Sequence, residues 1–281
     1  MRIGIVGLGL IGGSLALDWR RAGHQVIGVS RQDETVALAL ERGAIDQGAT
    51  DLSLVRGCQV VVLCVPLSQM LPVTQALRSY LHPETILTDV GSVKAPLVQA
   101  LTSLWPGFIG GHPMAGTADQ GMAAAQVGLF RQRPYVLTPT PRTDAHQLQQ
   151  LQDLVRELGA QVLVCDPTLH DRAVAWISHL PLWVSAALLA AYAQETDPQV
   201  AHLAQRLASS GWRDTTRVGG GNPELGACLA QFNREALLQG LRQYQAQLQA
   251  VIHLVESQDV PALTAYLQQT RWVRQQMTTP P

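Results

Sequence analysis

His112 is the side chain in this 281-residue sequence best suited to acid/base work, set in Gly110-Gly111-His112-Pro113-Met114-Ala115-Gly116. An imidazole accepts a proton at neutral pH, and the flanking glycines leave room for two bound molecules to meet beside it. Two further polar segments follow apolar runs: Thr88-Asp89-Val90-Gly91-Ser92-Val93-Lys94 and Cys64-Val65-Pro66-Leu67-Ser68. In an open α/β sheet, ligands gather beyond the carboxyl ends of the strands, so these segments and His112 belong to one candidate site. A different chemistry is written at the start of the chain. Gly7-Leu8-Gly9-Leu10-Ile11-Gly12 closes one apolar run and opens a stretch of helical character. In that context the glycine pattern points to a dinucleotide. Gly7 allows a tight turn, Gly9 lets backbone N–H groups approach a pyrophosphate, Gly12 permits close helix–strand packing, and Leu10 and Ile11 stand at the positive end of the helix.

The end of the next strand selects the nucleotide. A site for NAD places a carboxylate there to hold the ribose 2′-hydroxyl, whereas this strand ends in Ser30-Arg31-Gln32. Ser30 can donate a hydrogen bond to a 2′-phosphate and Arg31 a charge-assisted one, which predicts NADP; the competing assignment is NAD held by Asp33. The expected cofactor contacts are thus Gly7, Gly9, Leu10, Ile11, Gly12, Ser30, Arg31, Cys64, Pro66 and Ser68. Later in the chain, Arg213 and Arg217 stand four residues apart beside Gly219-Gly220-Gly221. That arrangement suits an anionic substrate, and equally a solvated surface pair. His170, Asp171 and His179 invite comparison with a metal site. Nine residues between the two histidines put them on different faces of a helix, so no metal is expected.

The elements that must position these residues fall into two groups. Short β-rich runs at residues 2–6, 25–30, 60–65, 85–90, 108–110, 135–138 and 161–165 alternate with helical stretches at 12–21, 34–42 and 145–158. That rhythm is βαβ, and unbroken apolar runs such as Val60-Val61-Val62-Leu63 are those of strands covered on both faces. The expected class is α/β: an N-terminal Rossmann-type, doubly wound, mostly parallel sheet over residues 1–166, followed by an all-helical domain over 167–281. Asp166-Pro167 marks the change, a helix cap with proline at the first helical position. Helices are expected at 168–192, 199–209, 223–257 and 261–276, with 211–222 irregular. An apolar stripe of Leu237, Leu238, Leu241, Tyr244, Leu248, Val251, Ile252 and Val255 has a helical period and suits a dimer interface, though packing within the chain would produce the same stripe.

Composition narrows the partners. A net charge of −1 removes the basic footprint of a nucleic-acid or anionic-membrane binder. The apolar stretch at 180–193 is shorter than the roughly 18 to 20 residues that cross a bilayer and is expected as a buried helix. With no export signal and four scattered cysteines lacking a CxxC spacing, the expected location is the cytoplasm, with free thiols.

The motifs GLGLIGGS, LCVP, DVGSVK, GGHPMAGT, His170-Asp171 with AVAWISHLP, and ASSGWRDTTRVGGGNPELG together resemble the prephenate/arogenate dehydrogenases of tyrosine biosynthesis. The similarity spans essentially the whole chain, with the NADP-dependent arogenate branch the nearer. The resemblance implies a homodimer whose helical domains intertwine and whose active site lies in the cleft between domains. It implies oxidative decarboxylation of arogenate to tyrosine, or of prephenate to 4-hydroxyphenylpyruvate. It assigns His112 and Ser92 to catalysis at the ring hydroxyl, Arg217 and Arg213 to a substrate carboxylate, and His179 and Gly221 to the ring pocket. The rivals are a β-hydroxyacid dehydrogenase and a non-catalytic NADP-binding module. The first lacks its expected lysine, since the chain has none after Lys94, and the second gives no reason for His112, Ser92 and Arg217.

Overall fold

The computed structural model describes residues 1–117 and 119–278. The first part runs β1 (Arg2–Val6), α1 (Leu10–Arg21), β2 (Gln25–Val29), α2 (Asp33–Glu41), β3 (Gln47–Ala49), β4 (Val60–Leu63), α3 (Leu67–Leu77), β5 (Ile86–Asp89), α4 (Ala95–Leu104), β6 (Phe108–Pro113), β7 (Pro134–Thr138), α5 (Ala145–Arg156) and β8 (Gln161–Val164). One eight-stranded sheet holds them in the order β3-β2-β1-β4-β5-β6-β7-β8. The first six strands are parallel, β7 is antiparallel to β6, and β8 is parallel to β7. The apolar runs are explained by burial on both faces. In β4, Val60 and Val62 enter one core cluster while Val61 and Leu63 enter the other. Successive side chains alternate across the pleat, so each face needs its own apolar set.

Two strand assignments change. β3 is a three-residue edge strand with no apolar run to announce it. β6 extends to Pro113 instead of stopping at Gly110. Its parallel pairing with β5 covers only Phe108 and Ile109, after which it pairs antiparallel with β7, placing His112 opposite Val136. His112 therefore stands within a strand, past the point where β5 ends.

The second part is helical: α6 (Pro167–Val174), a π-helical turn (Ala175–His179), α7 (Leu180–Tyr192), α8 (Pro198–Leu207), α9 (Ser210–Thr216), α10 (Pro223–Phe232), α11 (Arg234–Glu256) and α12 (Val260–Thr278). Asp166, Asp197 and Asn222 each cap a helix that begins with proline, their side-chain oxygens accepting the next free N–H groups. Three expectations are corrected. The segment at 211–222 is not wholly irregular, because α9 occupies its start. The helix at 223–257 is interrupted at Asn233, whose backbone leaves helical geometry. The stretch at 180–193 is not a buried helix within one chain, since only Leu180 and Ser185 of α7 are buried. It also belongs to a continuous helix, Pro167–Tyr192, which by length and composition is apolar enough to cross a bilayer. That helix carries the buried His170 and Asp171, and the Asp171 carboxylate accepts the backbone N–H groups of Lys94 and Ala95 at the start of α4. Of the stripe on α11, Leu237 is buried, whereas Tyr244, Leu248, Ile252 and Val255 are exposed.

Candidate active site

The β1–α1 turn forms the nucleotide cradle. Gly7 has φ +102°, and a Cβ there would lie 2.3 Å from the Cys64 carbonyl oxygen. A Cβ on Gly12 would lie 2.0 Å from the Gly7 oxygen, so neither position admits a side chain. At Gly9 the space is open, and α1 begins there with no side-chain cap, leaving N–H groups free for a phosphate. A cavity of about 470 Å³ adjoins this turn, bordered by Gly7, Gly9, Ser30, Arg31, Cys64 and Pro66. These residues fit a dinucleotide. Arg31 lines the cavity, whereas Asp33, the candidate carboxylate for NAD, is the first residue of α2 and does not. Leu10, Ile11 and Gly12 form the first turn of α1. Ser68 also lies off the cavity wall, where Gln69 and Val73 stand instead.

His112 sits in a polar network that joins β6, β5, the β5–α4 loop, α6, the π-helical turn and the break between α10 and α11. Its Nδ1 is 2.8 Å from Nε2 of His170, and Nδ1 of His170 is 2.8 Å from Oδ1 of Asp171. The backbone before it is clamped: Gly111 N–H donates to Oδ1 of Asp89 at 3.0 Å, and the Lys94 ammonium donates to the Gly111 carbonyl at 2.7 Å. Lys94 and Asp89 form an ion pair with both side chains fully buried. Oδ2 of Asp89 also accepts the Gly91 N–H, tying the β5–α4 loop that carries Ser92 to the strand that carries His112. Ser92, partly buried, lies in that loop. Asn233, at the break between α10 and α11, donates to the Asp171 carbonyl at 2.8 Å and to Nδ1 of His179 at 3.0 Å.

The electrostatics hold His112 and His179 neutral. Burial, followed by the nearby Lys94, His170 and His179, pushes His112 well below the usual imidazole range. Burial also lowers His179 to about 4, against the attraction of Asp171. Burial lowers Lys94 as well, with the Asp89 carboxylate opposing it. A neutral histidine near the carboxyl end of a strand can accept a proton from a substrate hydroxyl.

The structure thus brings Ser92, His112 and His179 toward one network and leaves the other substrate candidates outside it. Arg213 in α9, Arg217 just after it and Gly221 are exposed, and among the described residues none hydrogen-bonds to the His112 cluster. The α9 segment packs instead on α7, through an edge-on contact of Trp212 with Tyr192 and through Gly219 N–H donating to Ser185 at 2.8 Å. Sequence reasoning missed the roles of His170, Asp171, Lys94 and Asn233. The first two enter the sequence reading as candidate metal ligands and as a motif of the family resemblance without a role, and no local spacing links them to a histidine 58 residues earlier. An Asn inside a helical apolar pattern was the one readable signal, because that residue type favours breaks and caps.

Comparison with known proteins agrees over both parts. Residues 15–164 match the family model described as prephenate dehydrogenase, nucleotide-binding domain, and residues 166–269 match prephenate dehydrogenase, dimerization domain. The crystal structure of Synechocystis arogenate dehydrogenase superposes with a TM-score of 0.91 at 51% identity, covering 99% of this chain and 100% of that one. Prephenate dehydrogenase from Aquifex aeolicus, in complex with hydroxyphenyl propionate and NAD+, gives a TM-score of 0.92 at 28% identity, covering 99% and 98%. Among curated sequences, the prephenate dehydrogenase of Bacillus subtilis is 33% identical over 269 residues, 93% of this chain and 72% of that protein.

Proposed function

The chain belongs to the prephenate dehydrogenase family and is an enzyme of that family, and from this premise we propose that it converts arogenate to tyrosine with NADP, acting as a homodimer. The observation that carries the reading is His112: a neutral imidazole near the carboxyl end of β6, in the same sheet as a β1 glycine cradle whose neighbouring strand β2 is followed by Ser30-Arg31 without a lining carboxylate. NADP, when bound, supplies the hydride acceptor. In the substrate, the ring C–H is lost as hydride, the ring carboxylate leaves as carbon dioxide, and the electron pair of that broken C–C bond completes the aromatic ring. No net proton is released. His112 accepts the proton of the ring hydroxyl as its C–O bond gains double-bond character, and returns it to the phenolic oxygen. Ser92 steadies that hydroxyl. Arg217, with Arg213, binds a substrate carboxylate by charge-assisted hydrogen bonds, and His179 and Gly221 line the ring pocket. The division at residue 166 separates the part that binds nucleotide from the part that binds substrate and dimerises.

The likeness to an arogenate dehydrogenase at 51% identity supports arogenate. Prephenate is the second reading, favoured by the Bacillus subtilis relative. The two substrates differ in their side chain, amino acid against keto acid, which a few pocket contacts discriminate. The test is kcat/KM for arogenate and prephenate with NADP and with NAD, followed by absorbance of the reduced nucleotide. The reading expects the largest value for arogenate with NADP. A larger value for prephenate reassigns the substrate, and a larger value with NAD reassigns the role of Arg31.

A further inference from the structure

We propose that His170 and Asp171 are positioning residues that hold His112 in the tautomer whose Nε2 carries a free lone pair. The inference rests on the reading of His112 as the base and adds what makes that base competent. Its argument is a chain of donors and acceptors. An ionised carboxylate only accepts hydrogen bonds, and Asp171 already accepts from Lys94 N at 2.7 Å and Ala95 N at 2.8 Å. The third contact to this carboxylate, at 2.8 Å, therefore makes Nδ1 of His170 a donor. A neutral imidazole carries one N–H, so Nε2 of His170 is an acceptor. The atom facing it at 2.8 Å is Nδ1 of His112, which must then carry the hydrogen. What remains on His112 is the unprotonated Nε2, the atom that takes the substrate proton.

Several contacts keep this order from reversing. Asp171 is fixed through its carboxylate to the start of α4 and through its carbonyl to Asn233 at the start of α11. The two imidazoles meet edge-on, with centroids 5.1 Å apart and planes at 72°, a separation at which the in-plane N–H of one ring can point at the ring nitrogen of the other. A protonated His170 would invert the chain: its Nε2–H would donate to His112 Nδ1 and place the remaining hydrogen of His112 on Nε2. The titratable and charged groups facing His112 are Lys94 and, paired with it, Asp89 from the β5–α4 side, His170 and Asp171 from α6, and His179 from the π-helical turn.

Two measurements on the full-length enzyme with NADP test this. Nitrogen-15 NMR of the histidine rings, with the His112 signals identified by their loss in His112→Asn, is expected to show a protonated Nδ1 and an unprotonated Nε2 at neutral pH. A wild-type His112 protonated on Nε2 overturns the proposal without any need for a His170 variant to fold. In kinetics, His170→Leu removes the acceptor, whereas His170→Gln keeps an amide oxygen that can accept from His112 and an amide N–H that can donate to Asp171. His170→Leu is expected to lower kcat by roughly 10- to 100-fold with substrate KM unchanged and to move the acid limb of kcat/KM, within the about 10²- to 10⁴-fold worth of a positioned base. His170→Gln is expected to recover most of the rate. Equal losses in both variants with an unmoved acid limb, or no loss in either, overturn the proposal. Wild-type turnover in His112→Asn is a different failure, because it removes the base itself.

Discussion

The sheet half and the helical half of this chain solve the problem of burial differently. In the sheet half, β1, β4 and β5 are enclosed on both faces, and the buried Lys94 is paired with Asp89. In the helical half, large apolar side chains face outward along whole helices, with Leu248 at 48% exposure, Val255 at 59%, Leu203 at 54% and Leu267 at 64%. A contiguous apolar surface of that kind is the mark of an interface. The difference teaches that the histidine network is complete in one chain, while the helices around Arg213 and Arg217 become a finished structure only when something covers them. The match to a dimerization domain supports a second copy as the cover.

Breaking that cover should have the largest effect. Leu248→Glu with Ile252→Glu puts two charges on one face of α11, where each is desolvated in the paired state. The expected outcome in sedimentation equilibrium is a monomer, with arogenate turnover falling below detection and NADP binding retained by the sheet half. A monomer that turns over at the wild-type rate would show that the helical half stands alone. Next in size is His112→Asn, which leaves the fold and cradle in place and removes the base. Turnover should fall by at least about 100-fold with NADP affinity unchanged, since general-base assistance contributes about 10²- to 10⁴-fold. Arg217→Ala is milder and acts on the other half. Charge-assisted hydrogen bonds contribute about 1.5 to 3 kcal/mol, so substrate KM should rise roughly 10- to 100-fold while kcat holds. A lowered kcat at constant KM would move Arg217 from binding to chemistry.

The same contrast governs what could be read from sequence. The cradle, the parallel strands and His112 were legible because their signals are local: glycines at fixed spacing, apolar runs of strand length, and a histidine between a glycine and a proline. β3 was not, because three residues at a sheet edge need no apolar run, and Gln47-Gly48-Ala49 has none. The break at Asn233 is set by tertiary contacts, with its amide shared between Asp171 and His179, and helical periodicity runs through it unaltered. The π-helical turn before Pro181 has a local cause. Proline lacks the N–H that an α-helix would direct to Ile177, and its ring crowds that carbonyl, so the helix widens over Ala175–His179. The His112–His170–Asp171 chain was illegible for the opposite reason, since it joins a strand to a helix across the sheet edge and leaves no periodic trace.

The smallest effect concerns the junction of the two halves and vanishes at neutral pH. His179 has its pKa lowered to about 4 by burial, against about 6.5 in an unfolded chain. Above the unfolded value both states are neutral and the folded state keeps its full stability. Between about 6.5 and 4 the unfolded chain binds a proton that folded His179 refuses, so stability falls as pH falls. With about 1.36 kcal/mol for each unit of pKa difference, the loss amounts to a few kcal/mol by pH 4. His112, lowered for the same physical reason, adds to the slope. Urea unfolding at fixed protein concentration should show wild-type stability dropping more steeply from pH 7 to pH 4.5 than that of His179→Gln, whose amide oxygen can still accept from Asn233. Parallel curves would mean that the junction does not exclude the proton, and that the burial separating the two halves from solvent is looser at His179 than at Lys94.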